Sequence, residues 1–368
     1  MKLSVVYHLT GEEAEARAKA ADICLEQTVE LPDDLVTDKH VREQICGQVV
    51  SLRPIRNDLY EAVVCFAVET VGAELTQLLN VIFGNISLKP GIRLERLDLP
   101  ASLLQSFTGP RFGLNGLRAR LHVFGRPLLC TALKPMGLTA AALADLAFRF
   151  ALGGIDIIKD DHGLTDQVFC RYEERVERCV EAVERANRQT GLRCIYIANV
   201  TAPADRVEER ARLAKRAGAG GLLIAPGLTG LDMMRQIAED DRIALPLMSH
   251  PAFQGSFVAS PYTGISHYAL FGQINRLAGA DAVIFPNYGG RFSFTRDECR
   301  RLAEGTAVEM GHLKPIFPTP AGGMNLDRVH EMREMYGCDV IFLIGAGLHK
   351  HGPDLVQNCR EFRRQVES

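Results

Sequence analysis

The chain has 368 residues, 47% apolar and 24% charged, with a formal net charge of −3. That balance belongs to a globular protein and excludes the basic footprint of a nucleic-acid binder. No apolar stretch approaches the roughly 20 residues that a membrane-crossing helix needs. The N-terminus, "MKLSVVYHLTGEEAEARAKA", turns acidic too early for a secretory signal. A cytoplasmic protein with neither nucleic-acid nor membrane partners is therefore expected. The ten cysteines are scattered with no CxxC pair, as in a reducing compartment, and they do not read as a zinc site.

In chain order, "KLSVVYHL" reads as a strand and "EEAEARAKAADICLEQT" as an amphipathic helix. "GQVVSLRPIRNDLYEAVVCFAV" reads as two strands around a polar turn, "AELTQLLNVIFGN" as a second helix, and "ISLKPGIRLERLDLP" as extended chain. The order strand–helix–strand–strand–helix–strand predicts a ferredoxin-like α+β domain over residues 1–115.

From Pro127 the rhythm changes. Eight short apolar runs follow: "PLLCTALKP", "IDIIKDD", "CIYIANV", "GLLIAP", "ALPLMSHP", "DAVIFPN", "PIFPTP" and "DVIFLIG". Most are followed by a helical pattern. Eight such units predict an α/β fold, a (β/α)8 TIM barrel, over residues 116–368 with a C-terminal helical segment. A doubly wound sheet is the alternative, but no GxGxxG opens a helix.

In a barrel the active site lies at the C-terminal ends of the strands. Those ends carry Lys134, the run Lys159–His162, Asn199, His250, Asn287 with Arg291 beyond it, and Thr319. The last two strands close on "TPAGGMN" and "IGAGLHKHG", which place Gly322, Gly323, Gly345 and Gly347 where barrels bind phosphate through backbone N–H groups. The alternative for these glycines is a turn that needs positive φ.

Alternation along "IDIIKDD" sends Lys159 and Asp161 to one side and Asp160 to the other. A lysine beside a carboxylate at a barrel mouth reads either as an internal ion pair or as a metal site. An ammonium group only donates hydrogen bonds and cannot bind a cation. A carbamate formed on Lys159 with CO₂ would instead offer oxygen, and with Asp161 could hold Mg²⁺.

These stretches resemble the RuBisCO large-subunit superfamily over roughly residues 80–352. "VIFGNISL" is similar to the segment that lends an asparagine, here Asn85, to the neighbouring subunit's active site. "GRPLLCTALKPMGL" resembles the first-strand motif, with Lys134 in the place of the proton-shuttling lysine. "GGIDIIKDDHGL" resembles the second-strand motif, in which the lysine is carbamylated and binds the metal with the last Asp and a following Glu. "SHPAF" takes the place of the fifth-strand His-Arg, and the two glycine loops match the phosphate loops. The resemblance implies a homodimer with shared active sites.

The departures imply a RuBisCO-like protein that does not fix CO₂. Met136 stands for the second lysine, Pro251 for the arginine that grips a sugar phosphate, and "NYGGRF", with Arg291, for the mobile lysine loop. His162 stands for the metal-binding glutamate. A site of Lys159, Asp161 and His162 would hold Mg²⁺, or Mn²⁺ or Zn²⁺ given the softer imidazole. Alternatively, water replaces the missing carboxylate, or no metal binds and His162 serves as acid or base. The expected chemistry is enolisation of a small phosphorylated ketose, with Lys134 as base and Lys89 as a second candidate. The favoured activity is 5-methylthioribulose 1-phosphate isomerase. A 2,3-diketo-5-methylthiopentyl-1-phosphate enolase, a decarboxylase or transcarboxylase of a branched 3-oxo-acid phosphate, and a non-catalytic phospho-sugar binder are the alternatives.

Overall fold

Strand β1 (Lys2–Thr10) alternates as a half-covered strand should, with Leu3, Val5, Tyr7 and Leu9 fully buried on one face. A computed structural model describes residues 1–368. The helix Glu13–Glu26 lays Ala16, Ala20, Ile23 and Cys24 on that face, a spacing of one helical stripe. Strands β2 (Gln48–Arg56) and β3 (Leu59–Ala67) form a hairpin, and β4 (Ile92–Asp98) follows the helix Leu75–Phe83. β1 pairs antiparallel with both β3 and β4, so the sheet runs β4-β1-β3-β2, the ferredoxin-like order.

Eight parallel strands make the second unit: β5 (Leu128–Leu133), β6 (Ile157–Asp160), β7 (Ile195–Asn199), β8 (Gly221–Ile224), β9 (Leu247–Ser249), β11 (Ala282–Pro286), β12 (Phe317–Ala321) and β13 (Ile341–Leu343). The two-residue β10 (Gly264–Ile265) belongs to the first sheet. β13 pairs with β5, and β12 lies beside β13 to complete the ring. Alternate side chains point inward: Cys130, Ile157, Ile197, Met248 and Phe317 fill the barrel, and Leu117 and Leu121 of the helix Gly113–Leu121 close its lower end. The expected domain boundary at 115/116 falls inside that plugging helix.

The two units share an edge that no sequence pattern announces. After β9 the chain crosses back, and β10 pairs in parallel with Arg93 and Leu94 of β4. The Gln273 side chain then grips Leu97 from both sides, accepting from its N–H at 2.9 Å and donating to its C=O at 2.7 Å. Buried Glu95 accepts from Arg93 at 3.0 Å and Arg301 at 2.9 Å, and lies 3.2 Å from His8. Two residues of strand are too short to show a period in sequence, so this edge appears only once the fold is assembled.

Asp281, at the foot of β11, is buried and accepts three backbone N–H groups, from Phe112 at 2.7 Å, Gly113 at 2.6 Å and Leu247 at 2.9 Å. It ties the start of the plugging helix to the start of β9. Asp281→Ala leaves those donors buried without a partner and should cost about 3 kcal/mol or more, read as a lowered urea midpoint with an unchanged slope.

Candidate active site

The pleat of β6 carries Ile157 and Lys159 into the barrel and Ile158 and Asp160 away from it. Lys159 is 2% exposed, and its ammonium donates to the Asp160 carbonyl at 2.9 Å. Asp161 follows the strand end. Its Oδ1 lies 3.0 Å from Lys134 Nζ and 3.5 Å from His162 Nδ1. The His162 ring stacks on His250, with centroids 4.4 Å apart and planes within 12°. The ends of β5, β6 and β9 thus bring two lysines, one carboxylate and two imidazoles together.

The electrostatics of this cluster follow from burial. Removing the Lys159 amine from water lowers its pKa, and Lys134 nearby adds to that, against the pull of Cys130 and Asp161. Burial works against ionisation of Asp161, but the His162 hydrogen bond and the charges of Lys159 and Lys134 overcome it and hold its carboxyl below the usual range. Burial also drives His250 down to about 2, helped by Lys159 and His162. His250 is thus a neutral ring. Its Nδ1 accepts the Ala252 N–H at 3.2 Å, which assigns its own proton to Nε2 and makes it a donor.

These groups line one pocket of about 770 Å³. The loops after β12 and β13 contribute Gly322, Gly323, Gly345 and Gly347, together with Lys350, and Arg291 enters from the loop after β11. Gly322 and Gly323 have φ of +75° and +96°, and a Cβ on Gly323 would lie 2.7 Å from Gly290 Cα. These two glycines therefore answer both a backbone need and a close approach of loops. The segments after β9 and β11 add apolar side chains, Pro251, Phe253, Val258, Phe271, Phe292 and Phe294, of which the Phe292 ring lies against Gly322.

Some expected site residues lie elsewhere. Asn199 is 1% exposed and does not line the pocket; its amide donates to the carbonyls of His162 at 3.0 Å and Leu164 at 2.9 Å. Thr319 is fully buried inside β12, two residues below the glycine loop, and its hydroxyl has no partner. The sequence puts Thr319 at the mouth because β12 runs two residues past it, the usual error of such boundaries, whereas Asn199 does end β7 but turns its amide to the neighbouring loop. Asn85 and Lys89 sit on the first domain, away from this chain's pocket. Asn85 donates to Glu26 at 3.0 Å and Glu30 at 3.1 Å. Lys89 bonds Asp22 at 2.7 Å and Glu26 at 3.0 Å, and these carboxylates, Asp22 first, raise its pKa. Within one chain Lys89 is an ion-paired ammonium, not a free base. Sequence reasoning misses Lys350, whose neighbour His349 turns to the Phe150 ring instead, with centroids 5.7 Å apart. It misses the aromatic wall too, because the members come from separate loops with no common period.

No group of three His, Cys, Asp or Glu side chains is placed to hold a metal ion. Asp161 and His162 could offer a cation two ligand side chains, and a third would have to come from a modified Lys159. Its depressed pKa favours the neutral amine, the form that combines with CO₂. The residues fit a divalent cation on that condition.

The buried amine carries a stability cost. Lys159→Met should raise stability at neutral pH by about 1 kcal/mol or more in CO₂-free buffer, measured by urea unfolding. The folded pKa lies below the ordinary 10.5, so the unfolded chain binds the proton more readily. Wild-type stability then rises with pH through that window, and the gap between the two proteins should close as pH approaches 10.5.

Residues 113–367 match the family model for the ribulose bisphosphate carboxylase large chain, catalytic domain. The 5-methylthioribulose-1-phosphate isomerase of Rhodospirillum rubrum is 41% identical over 99% of this chain and 96% of its own. The 2,3-diketo-5-methylthiopentyl-1-phosphate enolase of Geobacillus kaustophilus is 32% identical over 100% of this chain and 92% of its own. The crystal structure of a Rubisco-like protein from Rhodopseudomonas palustris superposes with a TM-score of 0.90 at 36% identity, covering 100% of this chain and 97% of that one.

Proposed function

The chain belongs to the ribulose bisphosphate carboxylase large-chain family, among its RuBisCO-like members, and we propose that it isomerises 5-methylthioribulose 1-phosphate by enolisation. The observation that carries this reading is the two-sided mouth. One half, after β12, β13, β5 and β6, holds the glycine loops, Lys350 and the charged cluster. The other part, mainly after β9, is apolar, with Pro251, Phe253, Val258 and Phe271, while the loop after β11 brings Arg291 and Phe292 against the glycines. A substrate with phosphate at one end and a methylthio group at the other fits this division. A bisphosphate does not, since Pro251 and Phe253 offer its second phosphate no donor side chain. The isomerase relative is named for such a substrate.

In this reading the glycine N–H groups, Lys350 and Arg291 orient the phosphate. Phe253 and Phe271 hold the alkylthio end and exclude water. Lys134, once neutral, takes the proton from the carbon next to the ketone. His250 donates its Nε2–H to the developing oxyanion, and the ring's low pKa keeps it from competing for that proton. The proton then returns to the other carbon of the enediolate, which moves the carbonyl along the chain. A divalent cation of the Mg²⁺ type, held by Asp161, His162 and a carbamate on Lys159, would stabilise the enediolate oxygens when bound.

Incubation with 5-methylthioribulose 1-phosphate in heavy water should give isomerised product and deuterium at the carbon beside the ketone. Lys134→Ala should lose at least about 100-fold in kcat with KM little changed. Binding without exchange would assign a phospho-sugar sensor instead. Turnover of the diketo-methylthiopentyl phosphate alone would assign the enolase.

The proposal includes a homodimer in which Asn85 and Lys89 of one protomer complete the mouth of the other. Leu88, between them, is 86% exposed, and Phe253 at the mouth is exposed as well. Mixing inactive Lys134→Ala and Asn85→Ala proteins should then restore about a quarter of wild-type activity, because half the dimers are mixed and each carries one intact site. No recovery after verified subunit exchange would refute the sharing.

A further inference from the structure

Behind the mouth, on the outer side of β6, lies a buried network that no step above uses. Asp160 is fully buried. Its Oδ1 accepts the Tyr196 hydroxyl at 2.7 Å, and its Oδ2 accepts Arg175 Nε at 3.2 Å and the Asn199 N–H at 3.0 Å. Asn199 carries the network forward. Its amide donates to the carbonyls of His162 and Leu164, and its oxygen accepts the Thr201 N–H at 3.1 Å.

Stability alone does not explain this arrangement. A buried ion pair recovers little more than its desolvation costs, and Arg175 Nη2 is left buried without a partner. What the network determines is direction. The turn 161–164 contains Gly163 and would swing freely, yet two of its carbonyls are held from β7 by one amide. A third, that of Gly163, is held at 2.7 Å by Gln167 from within the same loop.

We propose that Asp160 and Asn199 are positioning residues that fix the turn after β6, and so set how His162 and Asp161 face Lys134 and His250. The inference deepens the enolising reading and rests on it only for the kinetic part of its test. Neither residue touches the pocket. Asn199 acts through the carbonyl of His162, which does line it, and Asp160 acts through the N–H of Asn199.

The test reads the ring of His162 directly. In protein labelled with ¹³C-histidine and held in chelator, its signal is assigned by its loss in His162→Gln. Asn199→Ala and Asn199→Asp should both shift or broaden that signal. The Asp variant keeps an acceptor for Thr201 N–H but has no donor for the two carbonyls, so it should behave like Ala. Both should lower kcat for proton exchange by about 10- to 100-fold with KM within a few fold. Tyr196→Phe removes a single bond to Asp160 and should fall between, and it is read in the same way if neither Asn199 variant folds. A folded Asn199 variant with an unmoved His162 signal and wild-type kcat overturns the proposal. If the wild type does not act on the substrate, the enolising reading fails, and the His162 signal alone decides the positioning role.

Discussion

Lys159 and Asp160 are neighbours that the pleat of β6 sends in opposite directions, and the mouth is built on that divergence. The inward residue becomes a buried amine at the base of the mouth pocket. The outward one becomes a buried carboxylate tied to the helix Tyr172–Thr190 through Arg175 and to β7 through Tyr196 and Asn199. Fixing the outward side chain also fixes the backbone from which the inward one projects. A one-residue slip in the register of β6 would exchange the two, leaving the carboxylate in the barrel and the amine among the helices.

The barrel sets the chemistry of what it receives. Two lysines, one carboxylate and two imidazoles share a space with several aromatic rings; Lys159 is buried in it, while Lys134 and His162 stay partly open to solvent. Burial therefore lowers the pKa of Lys159 and keeps His250 neutral, while mutual attraction keeps Asp161 ionised. The three shifts make Lys159 easier to deprotonate, leave His250 a ring that donates a hydrogen bond, and keep the Asp161 carboxylate charged. The first domain adds rigidity to this side of the barrel, because β10 and Gln273 clasp β4 immediately after the apolar segment that follows β9.

Much of this is legible in the residues alone. The period-two alternation of "IDIIKDD" assigns Lys159 and Asp160 to opposite sides, and it holds because β6 is buried on both faces. The eight βα units are visible because each strand is a short apolar run between loops. The glycine pair after β12 is visible because only glycine tolerates its backbone and its close approach. Asn199 is the instructive failure. Its residue type and its place at a strand end are the same as for a ligand-binding residue. Whether its amide faces the pocket or a neighbouring turn depends on a partner 37 residues away in sequence.

By itself, then, the sequence determined the two folds, the strand that carries Lys159, the loops that carry the glycines, and the substitution at His162 that separates this chain from the carboxylating pattern. These are local matters of period, turn chemistry and residue type, which a chain carries wherever it folds. The tertiary structure decided the rest: the stacking of His162 on His250, the pairing of Asp161 with Lys134, the entry of Lys350 into the pocket, and the aromatic side chains gathered from separate loops. Those depend on how far each strand rises before its loop begins and which helix face turns inward. The packing of the closed barrel sets both, and no single stretch of chain encodes either.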